Sequence, residues 1–193
     1  MLDTALQFIA DQSNDFLKAK TGVTDNIVKL GQVVDDNGKY AIGKESIALT
    51  LLNMEQEATA RQQLPSNSFV NGKTVKLPPE LRLNLYVMLV ARFTEYDQAL
   101  KYLSLLMTFF QSHSVFRAEQ NPGLSQQISR ISLDLQSLSY DQLNQIWAFL
   151  GGKHLPSVMY KIRLVSLHDQ ALATIGPPVL SVHSNINSAE HRS

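Results

Sequence analysis

Between Leu81 and Phe93 the chain alternates without a break, and directly afterwards its period changes. Leu81, Leu83, Leu85, Val87, Leu89, Ala91 and Phe93 fall on one face of an extended chain. The other face carries Arg82, Asn84 and Arg92 around Tyr86, Met88 and Val90. A period of two held over thirteen residues predicts a half-buried strand. Past Thr94, the residues Tyr96, Leu100, Leu103, Leu106, Met107 and Phe110 recur at three- and four-residue spacing. That is the stripe of a helix lying on a core. A unit of this kind leaves almost no side chain free for chemistry and points to a building block.

The same reading extends in both directions. Leu2, Ala5, Leu6, Ile9, Phe16 and Leu17 predict a first helix running to about Lys20, with Gly22 as its stop. A strand is expected over Ile27–Val34, ended by the turn-rich DDNGK at 35–39. A second strand, Ile47–Glu55, is apolar on both faces at its centre, so it belongs inside the sheet. Residues 58–79 read as a long polar connection closing on Pro78-Pro79. After the central helix, Asn121, Pro122 and Gly123 break the chain, and Ile131, Leu133 and Leu135 alternate with Ser132, Asp134 and Gln136. Ser139 is the expected N-cap of a helix Tyr140–Leu150, whose stripe is Leu143, Ile146, Trp147 and Leu150 and whose stop is Gly151-Gly152. A last strand covers Val158–Leu167, and beyond His168 periodicity is lost. The order predicts an α+β fold: a single domain over 1–167, with a mixed or antiparallel β-sheet carrying about three helices, and a C-terminal tail over 168–193 that is extended and contacts a partner.

Composition narrows the function. The 193 residues hold 17 basic and 17 acidic groups, a net charge of zero. A nucleic-acid binder needs a basic surplus to displace phosphate counterions, so that class is disfavoured. The charge is nevertheless uneven: residues 1–60 hold five basic and nine acidic groups, and the remainder the reverse excess. Opposed halves suit head-to-tail meeting of identical subunits, although mild asymmetry also arises without a role. With no cysteine, disulfides and thiolate metal sites are excluded. The amino terminus has Asp3 and no basic stretch before an apolar run, unlike a secretory signal. No run reaches the ~20 apolar residues that span a bilayer, so membrane insertion is not expected and folding in the cytoplasm is.

Catalytic and ligand motifs fail one by one. Gly72-Lys73-Thr74 imitates a phosphate loop, but Asn67 stands where its first glycine is required and prolines follow in place of a helix. Gly151-Gly152-Lys153-His154 lacks the hydroxyl residue after the lysine. His113, His154, His168, His183 and His191 share no helix face and no HExxH spacing. Asp134 and Asp141 make an imaginable acid–base pair, yet one belongs to a wet strand face and the other to a helix's first turn. Tyr140 and Trp147, at helical spacing, read as packing before they read as a ligand box. No catalytic residue, cofactor or metal is expected.

Two of these segments carry a resemblance. LNLYVMLVARFTEYDQALKYLSLLMTFFQSHSVF at 83–116 and LSYDQLNQIWAFLGGKHLPSVMYKIRLVSL at 138–167 resemble the cap, or tail-terminator, proteins of extracellular contractile injection systems. These are phage-tail-like particles such as antifeeding prophages and Photorhabdus virulence cassettes. MLDTALQFIADQSNDFL and IALTLLNMEQEATAR are similar to the same family, so the likeness covers about residues 1–167. It implies a phage tail-terminator-like fold and a structural protein with no enzymatic activity. It further implies a homo-oligomeric, six-membered ring at the baseplate-distal end, with the sheath and inner tube proteins as partners. Sheath subunits in such particles exchange terminal strands, so an exposed edge of the cap sheet is expected to receive one by β-augmentation. The 58–79 connection, the 113–124 loop and the 168–193 tail are the expected contact segments, with Phe69, Val70, Phe116 and Arg117 as candidate assembly contacts. On that reading, serine at both Phe69 and Phe116 leaves the monomer folded and abolishes capping. Two other classes stay open: an adaptor recruiting cargo to the particle, and a small enzyme whose site has no recognisable signature.

Overall fold

The structure, a computed structural model, describes residues 1–57, 66–70, 73–77, 81–166 and 174–175. Two compact units arise: one from residues 1–60 and 80–167, the other from 61–79 and 168–193.

The larger unit is built on α1 (Leu2–Thr21), β1 (Val28–Leu30) and β2 (Ser46–Gln56). Gly22, at φ 73°, ends α1 in the left-handed conformation that glycine alone adopts without strain. In the smaller unit, β3 (Ser66–Val70) pairs with β4 (Lys73–Leu77). The larger unit resumes with β5 (Leu81–Arg92), α2 (Tyr96–Ser112), β6 (Val115–Arg117), β7 (Ile128–Gln136), α3 (Tyr140–Leu150) and β8 (Ser157–Ser166). The smaller unit's third strand is β9 (Thr174–Ile175), antiparallel to β4.

The main sheet runs β1-β2-β5-β8-β7-β6; β1 and β2 are parallel and every other neighbour is antiparallel. Both faces of β5 are covered, because the odd and even residues feed different cores. Leu83, Leu85, Val87, Leu89 and Ala91 pack under α1 and α2 with Ile9, Leu17, Leu106 and Phe110. Met88 and Val90 pack on the opposite face with Ala48, Val33, Ile42 and Trp147 of α3. This is an α+β fold with three helices on one mixed six-stranded sheet, as the periodicities predicted. Ser139 caps α3 through a capping box with Gln142, an arrangement worth about 1 kcal/mol.

Several details depart from the sequence expectations. The strand expected over Ile27–Val34 pairs only at Val28–Leu30. The chain then turns at Gly31 and rounds the sheet edge, so Val28 is buried in one core and Val33 in the other. The 58–79 connection contains the β3–β4 hairpin, and the 113–124 loop begins with β6. The buried stripe of α2 is Ala99, Leu103, Leu106, Phe109 and Phe110; Tyr96 and Leu100 are 65% and 45% exposed.

Tyr160 is held edge-on against Phe110, ring centroids 5.2 Å apart, and burial pushes its phenol up to about 12. Its unfolded value is 10.0, so the folded state binds this proton more tightly. Stability from this group is therefore complete below pH ~10 and lost as pH rises through about 12. Urea midpoints measured between pH 9 and 12 should fall for the native chain, and the fall should be smaller for Tyr160→Phe.

Candidate functional site

The four candidate contact residues fall in different environments. Phe69 and Val70 occupy β3, opposite Thr74 and Lys73 of β4. Lys73 and Thr74 thus begin a strand, where the rejected phosphate loop would need a helix. Phe116 is 4% exposed, its ring edge-on to Phe8 at 5.4 Å and tilted against Phe109 at 6.4 Å. It is a core residue, which corrects the expectation that it lies on an open loop and can be changed without harm to the fold. β6 alternates, so its neighbours Val115 and Arg117 are exposed where Phe116 is not. Of the tail, Thr174 and Ile175 pair with Lys76 and Val75. The rest of the tail lies outside the described residues.

Sequence reasoning expected an exposed sheet edge but placed the strand Ile47–Glu55 inside the sheet, and half of that strand is an edge among the described residues. β1 covers only Ile47–Leu49 of the eleven-residue β2, so among the described residues Leu51–Gln56 has no strand on that side. A bulge between Leu51 and Asn53 shifts the register. After it Glu57 donates to Arg82, so alternate residues point their backbone groups to β5 and leave Met54 and Gln56 facing outward. The Met54 N–H is taken by the Asn53 Oδ1 at 2.8 Å, a local cap on an otherwise open donor. Leu51 and Met54 are 38% and 48% exposed there. Beside this edge, Leu52, Asn53, Tyr86, Ile146, Phe149 and Met159 line a groove of about 380 Å3. Phe149 is 81% exposed, a large apolar ring left in solvent on the side of α3 away from the buried Trp147. Strand length gave no signal, since the flanking strand expected over Ile27–Val34 is nearly as long as the one expected over Ile47–Glu55.

Nothing in this region resembles a reaction centre. Asp134 is bridged to Arg163, and Asp141 sits in the first turn of α3. His113 stacks on Phe109, His154 lies against Trp147, and His168, His183 and His191 lie outside the described residues. Among the described residues, no group of three His, Asp or Glu could hold a metal ion. The Glu45 carboxylate accepts the Thr94 N–H at 2.8 Å, which holds it below the usual carboxylate range and ties the β2 start to the approach of α2. Among the described residues, no helix is long and apolar enough to cross a membrane.

The larger unit is thus an α+β domain, a mixed sheet with helices on both faces and, among the described residues, an open edge along half of β2. Residues 4–181 match the Pvc16 N-terminal domain, and the chain belongs to that family. Its fold is similar to the sheath/tube terminator of an extracellular contractile injection system, PVC, in the extended state, with TM-score 0.59 and 16% identity. That likeness covers 96% of this chain and 65% of the other. It is also similar to the tube-terminating cap of the anti-feeding prophage, with TM-score 0.58 and 17% identity over 91% of this chain and 59% of the other. The chain thus spans about three-fifths of the length of these structures. No curated protein matches it. Both similar structures are terminating parts of particles, not enzymes.

Proposed function

We propose that this chain caps a contractile, phage-tail-like particle. It forms a ring, six-membered if it follows the particle's symmetry, that closes sheath and inner tube at the baseplate-distal end. It works without catalysis and is assembled in the cytoplasm. Growth of a stacked tube continues as long as each layer offers the next the same contact, so a terminator must bind the last layer without recreating that contact. The observation that carries the reading is the open half of β2. A sheath strand left without its successor would pair with Leu51–Gln56, its backbone satisfying the outward groups and its side chains meeting Leu51 and Met54. β3 and the tail, with Phe69, Val70 and the exposed Arg117, are further contacts on this reading.

Particles from cells lacking the gene, viewed by negative-stain electron microscopy, should be unsheathed or uncontrolled in length. Complementation with Met54→Pro should give the same defect, because proline abolishes the N–H that Asn53 now caps and that an incoming strand would have to take over, without touching the β5 ladder. Sheathed particles of normal length in the deletion would overturn the capping role. Rescue by Met54→Pro would leave capping in place and remove the β2 edge as its contact. Co-sedimentation of the chain with cargo and not with sheath would point to an adaptor.

A further inference from the structure

Among the described residues, α3 covers its face of the main sheet only in part, and the part beyond it carries arginines. Register places Arg82 of β5, Val165 of β8, Arg130 of β7 and Arg117 of β6 in one row across four strands. Arg117 and Arg130 are direct cross-strand partners, and both are exposed. Like charges set opposite each other on neighbouring strands are destabilising. Their neighbours are already engaged: Arg163 with Asp134, and Lys161 over the Tyr86 ring at 5.7 Å. Arg117 and Arg130 make no salt bridge among the described residues. With Glu119 and Ser129 they line a shallow depression of about 370 Å3.

We propose that the Arg117–Arg130 pair docks the acidic side of α1 in a second copy of the chain. Asp3, Asp11 and Asp15 recur at helical spacing and are all exposed. Asp3 is held by the chain's own amino terminus at 2.7 Å. Asp11 accepts from the Gln7 amide at 2.9 Å, a neutral partner that leaves its charge uncompensated, and Asp15 is exposed beside it. α1 packs on the opposite face of the same sheet from the row, so no copy can satisfy its own arginines with its own helix. The contact is therefore heterologous, the kind that generates a ring when its rotation closes. The complement lies within the chain itself, since residues 1–60 carry nine acids against five bases and the net charge is zero. The proposal rests on the cap reading only for the ring that the contact would build.

The test is sedimentation velocity of the full chain across concentrations at low and high salt. Salt should weaken self-association, because the paired groups are exposed. Arg117→Glu with Arg130→Glu should weaken it by about tenfold or more at low salt, as should Asp11→Lys with Asp15→Lys. All four changes in one chain should restore it. At high salt and low concentration, where association no longer adds to stability, each variant should keep the native thermal midpoint, since every changed residue is exposed. A native chain that stays monomeric at low salt would overturn the proposal. So would an Arg117→Glu, Arg130→Glu chain that associates as the native one does, or a charge-swapped chain that does not recover. Tight binding of a short DNA duplex lost in that arginine variant would overturn it in favour of a phosphate partner. Uncapped particles in the gene deletion alongside any of these results would leave the cap reading standing while this contact fell.

Discussion

Replacing Phe116 with alanine is expected to lower the free energy of unfolding by about 3–5 kcal/mol, the usual cost of emptying a buried aromatic site. The ring is the inward residue of a three-residue edge strand, and it joins α1 to α2 through Phe8 and Phe109. The collapse needed to fill its space would have to move two helices, which places the cost toward the upper end. Arg117→Ala, one residue further on at an exposed position, should stay within about 0.5 kcal/mol. Urea denaturation of the two variants measures the contrast directly. Near-equal midpoints would mean that the β6 edge does not close the core. The serine pair at Phe69 and Phe116 therefore cannot separate capping from folding, and Arg117 or Val115 is the position at which to probe the surface.

That example marks what the sequence made legible. β5, β8 and α3 were readable to within a residue or two, because the two strands alternate along their length and α3 has a specific cap and stop. That β5 is covered on both faces was not readable, since its second face is polar at the ends. β6 was not readable: three residues hold one buried position, and no period can be seen in one observation. α2 was found with Leu103, Leu106 and Phe110 rightly in its stripe, but Ala99 and Phe109 complete it in place of Tyr96, Leu100 and Met107. The helix is apolar around more than one face, and the small Ala99 carries less weight in a pattern than Tyr96 or Leu100. The candidate surfaces were the least legible part. The half-open β2 edge and the arginine row are products of register, which sets residues far apart in sequence side by side. Arg82, Arg117 and Arg130 look unrelated along the chain and become one line only when four strands are laid in order.

Asn14→Leu is expected to cost about 2–4 kcal/mol, from two lost hydrogen bonds and the buried groups they leave unpaired. Asn14 is 3% exposed on α1, and its amide reaches across to β1. Its Nδ2 donates to the Val28 carbonyl and its Oδ1 accepts the Val28 N–H, each at 2.8 Å. Val28 is itself 2% exposed, so neither backbone group has water to fall back on. In sequence Asn14 passes for an ordinary helix-surface amide, although the pairing makes it the clamp that holds a three-residue edge strand to its helix. Leucine is close in size, so the loss would report hydrogen bonding and not a cavity. An aspartate at this position would keep the acceptor, lose the donor and bury a charge, so Asn14→Asp should be at least as damaging as Asn14→Leu near neutral pH. Urea midpoints set the size of the loss, and amide hydrogen exchange at Lys29 and Gly31 locates it. Faster exchange there, with α2 and β8 unchanged, would show β1 releasing first; a wholly global loss would mean that the edge and the core unfold as one. Because β1 is the strand that covers the outer side of β2, its release would lengthen the open edge on which the proposed sheath contact depends.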